Sequence, residues 1–104
     1  SKDARVRRAL EEIESSFRER ITMSALARKS GLSVRSLNRL FLEELGVSPG
    51  QVLVHRRVEE AKRRLRSRGV SVTDVAAEVG YQSLSQFIEV FRRATGTLPS
   101  EWKG

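Results

Sequence analysis

The sequence predicts an all-α protein. Apolar residues recur at the 3.6-residue period of a helix, and Val6, Leu10, Ile13 and Phe17 form one such stripe. A short polar residue precedes each periodic segment and a glycine follows most of them, as helix caps require. No period-two run and no Asn-Gly or Asp-Gly pair predicts a strand or a hairpin. We therefore expect helices and no sheet.

Cap residues and glycines divide the chain into successive helices. The apolar positions of the third helix are Leu37, Leu40, Phe41 and Leu45, and we expect all four to face inward. The expected caps are Asp3, Thr22, Ser33, Ser48, Ser71 and Ser83. The predicted helices span residues 4–19, 23–30, 34–45, 49–67, 72–79 and 84–95, and Pro99 then opens a last short turn that carries Trp102.

The segment 49–67 predicts the longest helix of the chain. Pro49 suits a first helical turn, and Gly69 follows the segment where a left-handed residue ends a helix. One apolar stripe runs along it, formed by Val54, Val58, Ala61 and Leu65. Nineteen helical residues span about 28 Å, somewhat less than the ~34 Å that separates successive major grooves on one face of DNA.

The composition is basic, which fits an anionic partner and equally a solvated helix face, and it excludes several kinds of site. The chain has 104 residues, a net charge of +7 and no cysteine, so disulfides and thiolate metal sites are excluded. Residues 49–69 hold seven Lys and Arg against two Glu, which concentrates the basic excess in the long helix. Nucleic acid, an anionic membrane and an acidic protein all fit such a charge. No apolar run approaches the ~20 residues of a membrane-spanning helix.

An internal repeat is the most specific signal in the sequence. Its first half repeats at an offset of 49 residues and its second half at an offset of 50, so one extra residue lies near Tyr81 and Gln82. Thr22, Leu26, Ala27 and Gly31 correspond to Ser71, Val75, Ala76 and Gly80, and Ser33, Leu37, Phe41, Gly46 and Pro49 correspond to Ser83, Phe87, Phe91, Gly96 and Pro99.

Each copy of the repeat predicts a helix-turn-helix unit. A short helix carries a small residue, Ala27 or Ala76, that lets two helices cross closely, and a glycine follows that permits a positive φ. The longer second helix would then enter a major groove. We expect an N-terminal helix plus the first unit in residues 1–48, a linker helix in 49–69 and the second unit in 70–104.

These motifs resemble the DNA-binding domain of the AraC/XylS transcription regulators over roughly residues 5–104. The resemblance implies seven helices, two helix-turn-helix units joined by a rigid linker helix, and two recognition helices in adjacent major grooves of an asymmetric site. It also implies a cytoplasmic, bacterial regulator that binds double-stranded DNA and can contact RNA polymerase. An effector ligand would bind a sensor domain outside this chain. The residues that carry the resemblance include Leu26-Ala27, Gly31, Arg39, Gly46-Val-Ser-Pro49, Arg57, Gly80-Tyr81, Phe91-Arg92 and Thr95-Gly96.

The resemblance also assigns base-reading positions. In the first unit they fall on Arg35, Ser36, Asn38 and Arg39, and in the second on Ser85, Gln86 and Glu89, with Ile88 matching Asn38. Glu89 departs from the family, in which an arginine is common at this position. A glutamate cannot bind a guanine edge or a phosphate, but it can accept a hydrogen bond from the N4 amine of cytosine.

Five further residues are candidates for phosphate contacts. Ser33 and Ser83 begin the two recognition helices, and their hydroxyls are helix caps in any protein. Arg92 and Arg93 lie at a helix C-terminus, where the helix dipole alone would favour them. Arg57 is the fifth candidate, and the alternative for it is to pair with a nearby acid and support the two units.

The sequence contains no recognisable catalytic or metal site, so we expect no enzyme activity and no cofactor. There is no phosphate-binding loop, no metal-ligand spacing and no nucleophile paired with a base. His55 is the single histidine, and the pairs Glu43-Glu44 and Glu59-Glu60 lie among basic residues on predicted helix surfaces. Two other hypotheses for the function remain open. The chain could be a protein-interaction module that binds an acidic partner, or a domain fused to a repair or modifying enzyme. A start at Ser1 rather than Met is compatible with excision from a longer chain.

Overall fold

A computed structural model of the protein describes residues 2–102, in which helices joined by short turns and loops are the regular secondary structure and no strand is present. The prediction of an all-α fold is therefore confirmed. The helices are α1 (Ala4–Ser16), α2 (Met23–Lys29), α3 (Val34–Leu45), α4 (Pro49–Leu65), α5 (Val72–Glu78) and α6 (Leu84–Thr95), followed by a 3₁₀ helix at Pro99–Glu101.

Six α-helices are present in the described residues, one fewer than the seven that the family resemblance implies. The short turn predicted at Pro99 is a single 3₁₀ turn, in which the Glu101 amide donates to the Leu98 carbonyl at 3.0 Å. Three residues cannot complete an α-helical turn with i→i−4 bonds, so the chain uses the tighter pattern. Trp102 follows this turn in an extended conformation.

The predicted caps all form. The side chains of Asp3, Thr22, Ser33, Ser71 and Ser83 each accept a backbone N–H from the first turn of the helix that follows. Ser48 does more, because its Oγ accepts from the Gln51 amide at 3.1 Å while its own amide donates to Gln51 Oε1 at 2.7 Å. This reciprocal pair is a capping box, and the Ser-x-x-Gln spacing that encodes it was overlooked in the sequence.

The chain divides into two compact units, and each has its own core. The N-terminal unit, Ser1–Leu53, buries one face of α1 and the apolar sides of α2 and α3. The C-terminal unit, Val54–Gly104, buries α5 and α6 against the later part of α4. Buried in the first core are Val6, Ala9, Ile13, Phe17, Leu26, Ala27, Leu37, Phe41 and Leu53. Buried in the second are Val58, Ala61, Val75, Ala76, Val79, Tyr81, Phe87 and Phe91.

Three details of the predicted helices were wrong. The first helix, predicted over residues 4–19, ends at Ser16. Leu45, expected to face inward, has 38% of its surface exposed at the end of α3. The long helix ends at Leu65 rather than Ser67, because Arg66 and Ser67 donate to the carbonyls three residues back and the last turn tightens. Gly69 follows with φ at +73°, as its place in the sequence predicts.

Candidate nucleic-acid interface

The two helix-turn-helix turns have the same backbone geometry. In the first, the Leu32 amide donates to the Ala27 carbonyl at 2.8 Å and the Gly31 amide to the Arg28 carbonyl at 3.1 Å. In the second, Tyr81 donates to Ala76 at 2.9 Å and Gly80 to Ala77 at 3.1 Å. Both are Schellman motifs, which require a left-handed residue, and Gly31 and Gly80 have φ values of +74° and +102°. The extra residue of the second turn is therefore Gln82, between the motif and the cap.

The helix α3 is fixed by its apolar face and presents the opposite, polar face to solvent. Leu37 and Phe41 are fully buried four residues apart and Leu40 packs against the same core, so Arg35 and Arg39 lie on the opposite side of the helix. Arg35 is exposed and makes no ion pair with any described residue. Arg39 is also exposed, and its Nε lies 3.8 Å from Glu43 Oε1. Asn38 is half-buried between them.

The helix α6 has the same construction with different side chains. Phe87 and Phe91 are fully buried at the positions equivalent to Leu37 and Phe41, and their rings lie 5.7 Å apart. Ser85, Gln86 and Glu89 are exposed. One oxygen of the Glu89 carboxylate already accepts a hydrogen bond, since Arg93 Nη2 donates to Oε1 at 2.7 Å. The predicted base-reading residues of each unit therefore share one exposed helix face.

The hydroxyls that begin these helices already serve as caps. Ser33 Oγ accepts from the Ser36 amide at 3.1 Å and donates to Ser36 Oγ at 3.0 Å. Ser83 Oγ accepts from the Gln86 amide at 3.2 Å. Both serines are exposed, so their remaining hydrogen-bonding capacity faces solvent.

An ion-pair cluster on α4 was missed in the sequence. Glu60 was expected on the helix surface, but only 8% of it is exposed. Its carboxylate accepts from Arg63 and Arg64, and it lies 3.5 Å from Arg56 Nη1. The hydrogen bond from Arg63, opposed by burial, lowers the pKa of Glu60 to about 2. The spacing of Glu60 to the three arginines was the signal that could have predicted this cluster.

The cluster extends from α4 to α5. Arg64 donates through Nε to Glu60 at 2.9 Å and through Nη1 to Glu78 at 2.8 Å. The bond to Glu78 joins residues fourteen positions apart, so helical periodicity could not predict it. Three of the arginines of α4 are thus paired with glutamates of the C-terminal unit.

Two other basic side chains of α4 lie against aromatic rings of their unit. The Arg57 guanidinium is 5.1 Å from the centroid of the Tyr81 ring, and Lys62 Nζ is 5.3 Å from that of Trp102. Burial raises the pKa of the Tyr81 hydroxyl, and the charge of Arg57 opposes the shift. The ring of Trp102 also meets the Phe91 ring edge-on, with the ring centroids 5.7 Å apart, so Trp102 packs against the second core.

Several exposed arginines keep their charge available to an anionic partner. Within residues 2–102, these arginines have no ion pair: Arg8, Arg20, Arg28, Arg35, Arg66, Arg68 and Arg92.

Among residues 2–102, no group of three potential metal-ligating side chains comes together. No described helix is both long enough and apolar enough to cross a membrane. His55 is exposed on α4.

Comparison with known proteins gives the family of this chain. A family profile described as "Helix-turn-helix domain" matches residues 26–104. The transcriptional activator RhaS of Citrobacter koseri is 33% identical over 95% of this chain and 36% of its own length. The first curated relatives are much longer than this chain, which spans between 14% and 36% of their length.

Solved structures agree with the sequence relatives. A probable AraC family transcriptional regulator from Rhodopseudomonas palustris is 28% identical, with a TM-score of 0.84 over 97% of this chain and 95% of that one. The DNA-binding domain of the global transcriptional factor AdpA, solved in complex with a target DNA, is also 28% identical, with a TM-score of 0.86 over 98% of this chain and 91% of that one. The chain belongs to the AraC/XylS-type helix-turn-helix family, the DNA-binding domains of transcription regulators.

Proposed function

We propose that α3 and α6 are the two recognition helices of a sequence-specific DNA-binding domain and that they enter adjacent major grooves of one asymmetric site. One observation carries this proposal: each unit holds a twelve-residue helix by two fully buried side chains and leaves its polar face exposed. The complex of the AdpA domain with its target DNA supports the proposal through similarity of fold.

In the N-terminal unit, four residues of α3 would read bases. Arg35 and Arg39 each offer the forked donors that match guanine O6 and N7, and Asn38 between them offers the donor and acceptor that match adenine. Ser36 would add a weaker contact, because its Oγ already accepts from Ser33. The half-site beneath α3 would be read strictly.

In the C-terminal unit, Ser85, Gln86 and Glu89 of α6 would read bases with less discrimination. Serine and glutamine offer fewer fixed donors than arginine, and Glu89 can only accept. Residues 70–104 carry a net charge of −1, against +2 for residues 22–48. The half-site beneath α6 would therefore be more degenerate than the one beneath α3.

Phosphate contacts would place the two helices on the duplex. Ser33, Ser83, Arg92 and Arg93 are exposed and remain the candidates. Arg57 remains a candidate too, although its position over the Tyr81 ring favours a packing role. Residues 49–69 would act as the linker helix between a first segment at 1–48 and a second at 70–104.

The test is selection of bound duplexes from a random pool, followed by binding titrations of the selected site at 50 and 200 mM salt. We expect one asymmetric site, and an affinity that falls steeply with salt because counterions are released from each neutralised phosphate. An affinity independent of salt, or selection that enriches no sequence, would contradict the proposal and favour a protein-interaction module.

The rest of the parent protein is also a matter of proposal. Since the chain spans about a third of RhaS, we propose that a sensor domain outside this chain binds the effector ligand. The parent would be a cytoplasmic regulator that contacts RNA polymerase from its DNA site. Pull-down of RNA polymerase by the full-length regulator on its operator, with and without candidate effectors, tests both points.

A further inference from the structure

The two recognition helices carry the same ion pair in opposite order. In α3 the base precedes the acid, with Arg39 Nε 3.8 Å from Glu43 Oε1. In α6 the acid precedes the base, with Glu89 Oε1 2.7 Å from Arg93 Nη2. With the repeat offset of 50 residues, Arg39 corresponds to Glu89, and Glu43 corresponds to Arg93.

The geometry of the pair in α6 is the better of the two. An acid four residues before a base is the favourable order on a helix, and the distance is that of a charge-assisted hydrogen bond. Both side chains stay accessible, with 58% of Glu89 and 77% of Arg93 exposed. The pair therefore lies on the surface where a ligand of α6 would meet it.

The order of the pair decides which charge lies nearer the bases. Residues toward the N-terminus of a recognition helix contact base edges, and positions four residues apart are separated by about 6 Å along the axis. In α3 the nearer residue is the cation Arg39, whereas in α6 it is the anion Glu89. An unpaired carboxylate in a groove would be repelled by the phosphates on both sides.

We propose that Arg93 is a positioning residue for Glu89, in addition to any phosphate contact it makes. By donating to Oε1, it cancels the charge of the carboxylate and fixes its orientation, and Glu89 can then accept a hydrogen bond from the N4 amine of a cytosine. The reversed pair makes α6 select cytosine at the position where α3 selects guanine. This inference rests on the proposed function, in which α6 reads bases.

Arg92 provides the matched control. It is exposed, adjacent in sequence to Arg93, and without an ion pair among the described residues. A residue that only contacts phosphate weakens binding to all sequences by a similar factor, whereas a residue that positions a base-reading group changes the preference between bases.

The experiment is a titration of Arg93→Ala, Arg92→Ala and Glu89→Ala, the last of which removes the acceptor, against operators carrying each of the four bases at every position beneath α6. Circular dichroism checks that each variant is folded. For the unchanged protein we expect cytosine to be preferred by about 5- to 150-fold at one position. Arg93→Ala should lower that preference about two- to fivefold, the range that an exposed ion pair supports. Arg92→Ala should leave the preference for cytosine unchanged, even if it weakens binding to all operators by a similar factor.

A double substitution gives the sharpest result. Glu89→Arg combined with Arg93→Glu gives α6 the order found in α3, and the preferred base should change from cytosine to guanine. If Arg93→Ala weakened binding to operators with each of the four bases equally, as Arg92→Ala is expected to do, while Glu89→Ala lost the cytosine preference, only the positioning role would be overturned. If the unchanged protein showed no preference beneath α6, base reading by α6 would fail as well.

Discussion

Glu60 is the side chain on which three ion pairs of the C-terminal unit converge. Three arginines surround its carboxylate, and its pKa of about 2 lies well below the ordinary 4.5. A folded pKa below the unfolded one stabilises the fold above pH 4.5, and that contribution disappears as the pH falls from 4.5 to 2.

Glu60→Gln should therefore lower the free energy of unfolding at pH 7 by about 1–3 kcal/mol, because its charge-assisted hydrogen bonds to Arg63 and Arg64 are lost. The difference from the unchanged protein should shrink as the pH falls toward 2. Urea denaturation across this pH range measures both effects. Glu11→Gln is the control, since Glu11 is exposed and has no ion pair within the described residues. An equal effect of the two substitutions would contradict the role of Glu60.

Arg39 is the residue for which a substitution should most clearly change base preference. Its side chain is exposed and only loosely paired with Glu43, so it is available for bidentate contact with a guanine. Arg39→Ala should weaken specific binding by about 1–3 kcal/mol and abolish the preference at one or two positions. Titration against single-base operator variants measures this, with the unchanged melting temperature as the control for folding. A uniform loss across all variants would indicate a phosphate contact instead.

At the scale of elements, the sequence predicted the helix caps and the main core residues. It did not predict several helix ends or the ion pair between α4 and α5. Serine caps and buried Phe41 and Phe91 depend on local spacing, which the sequence shows directly. The contact of Arg64 with Glu78 and the exposure of Leu45 depend on tertiary packing, which spacing alone does not determine. The base-reading assignments came from family resemblance and remain predictions, although the exposed faces of α3 and α6 are consistent with them.

The helix α4 offers a direct test of the proposed linker. A proline at the buried Ala61 would also disturb the C-terminal core, so the exposed His55 is the better position. His55→Pro removes one helical hydrogen bond and should cost the helix about 3 kcal/mol or more. Operator affinity should fall toward that of one recognition helix alone.

The matched control for this substitution is His55→Ala, which keeps the backbone amide and should bind normally. Circular dichroism would verify that the total helix content of His55→Pro falls by no more than the contribution of α4 and that His55→Ala keeps the content of the unchanged protein. Normal operator affinity of His55→Pro with a demonstrably broken α4 would show that the domain does not need a continuous linker helix.

The molecule as a whole combines a basic first helix-turn-helix unit, with a net charge of +2 over residues 22–48, with a second unit that carries −1 over residues 70–104. Because Glu89 and Arg93 cancel each other and Arg35 has no partner among residues 2–102, we expect most of the sequence information to lie beneath α3. Sites selected from a random pool should show several strictly specified positions in one half and about one in the other. Equal information in the two halves would contradict the asymmetry.

The single-residue difference between the two helix-turn-helix turns has a practical consequence. Gln82 lies between a hydrogen-bonded turn and a capped helix start, is exposed, and has no counterpart in the first unit. Since the chain contains no cysteine, Gln82→Cys would create a unique attachment point for a fluorophore beside the first residue of α6. Quenching or anisotropy of that dye would report the arrival of DNA at the C-terminal unit separately from the N-terminal one.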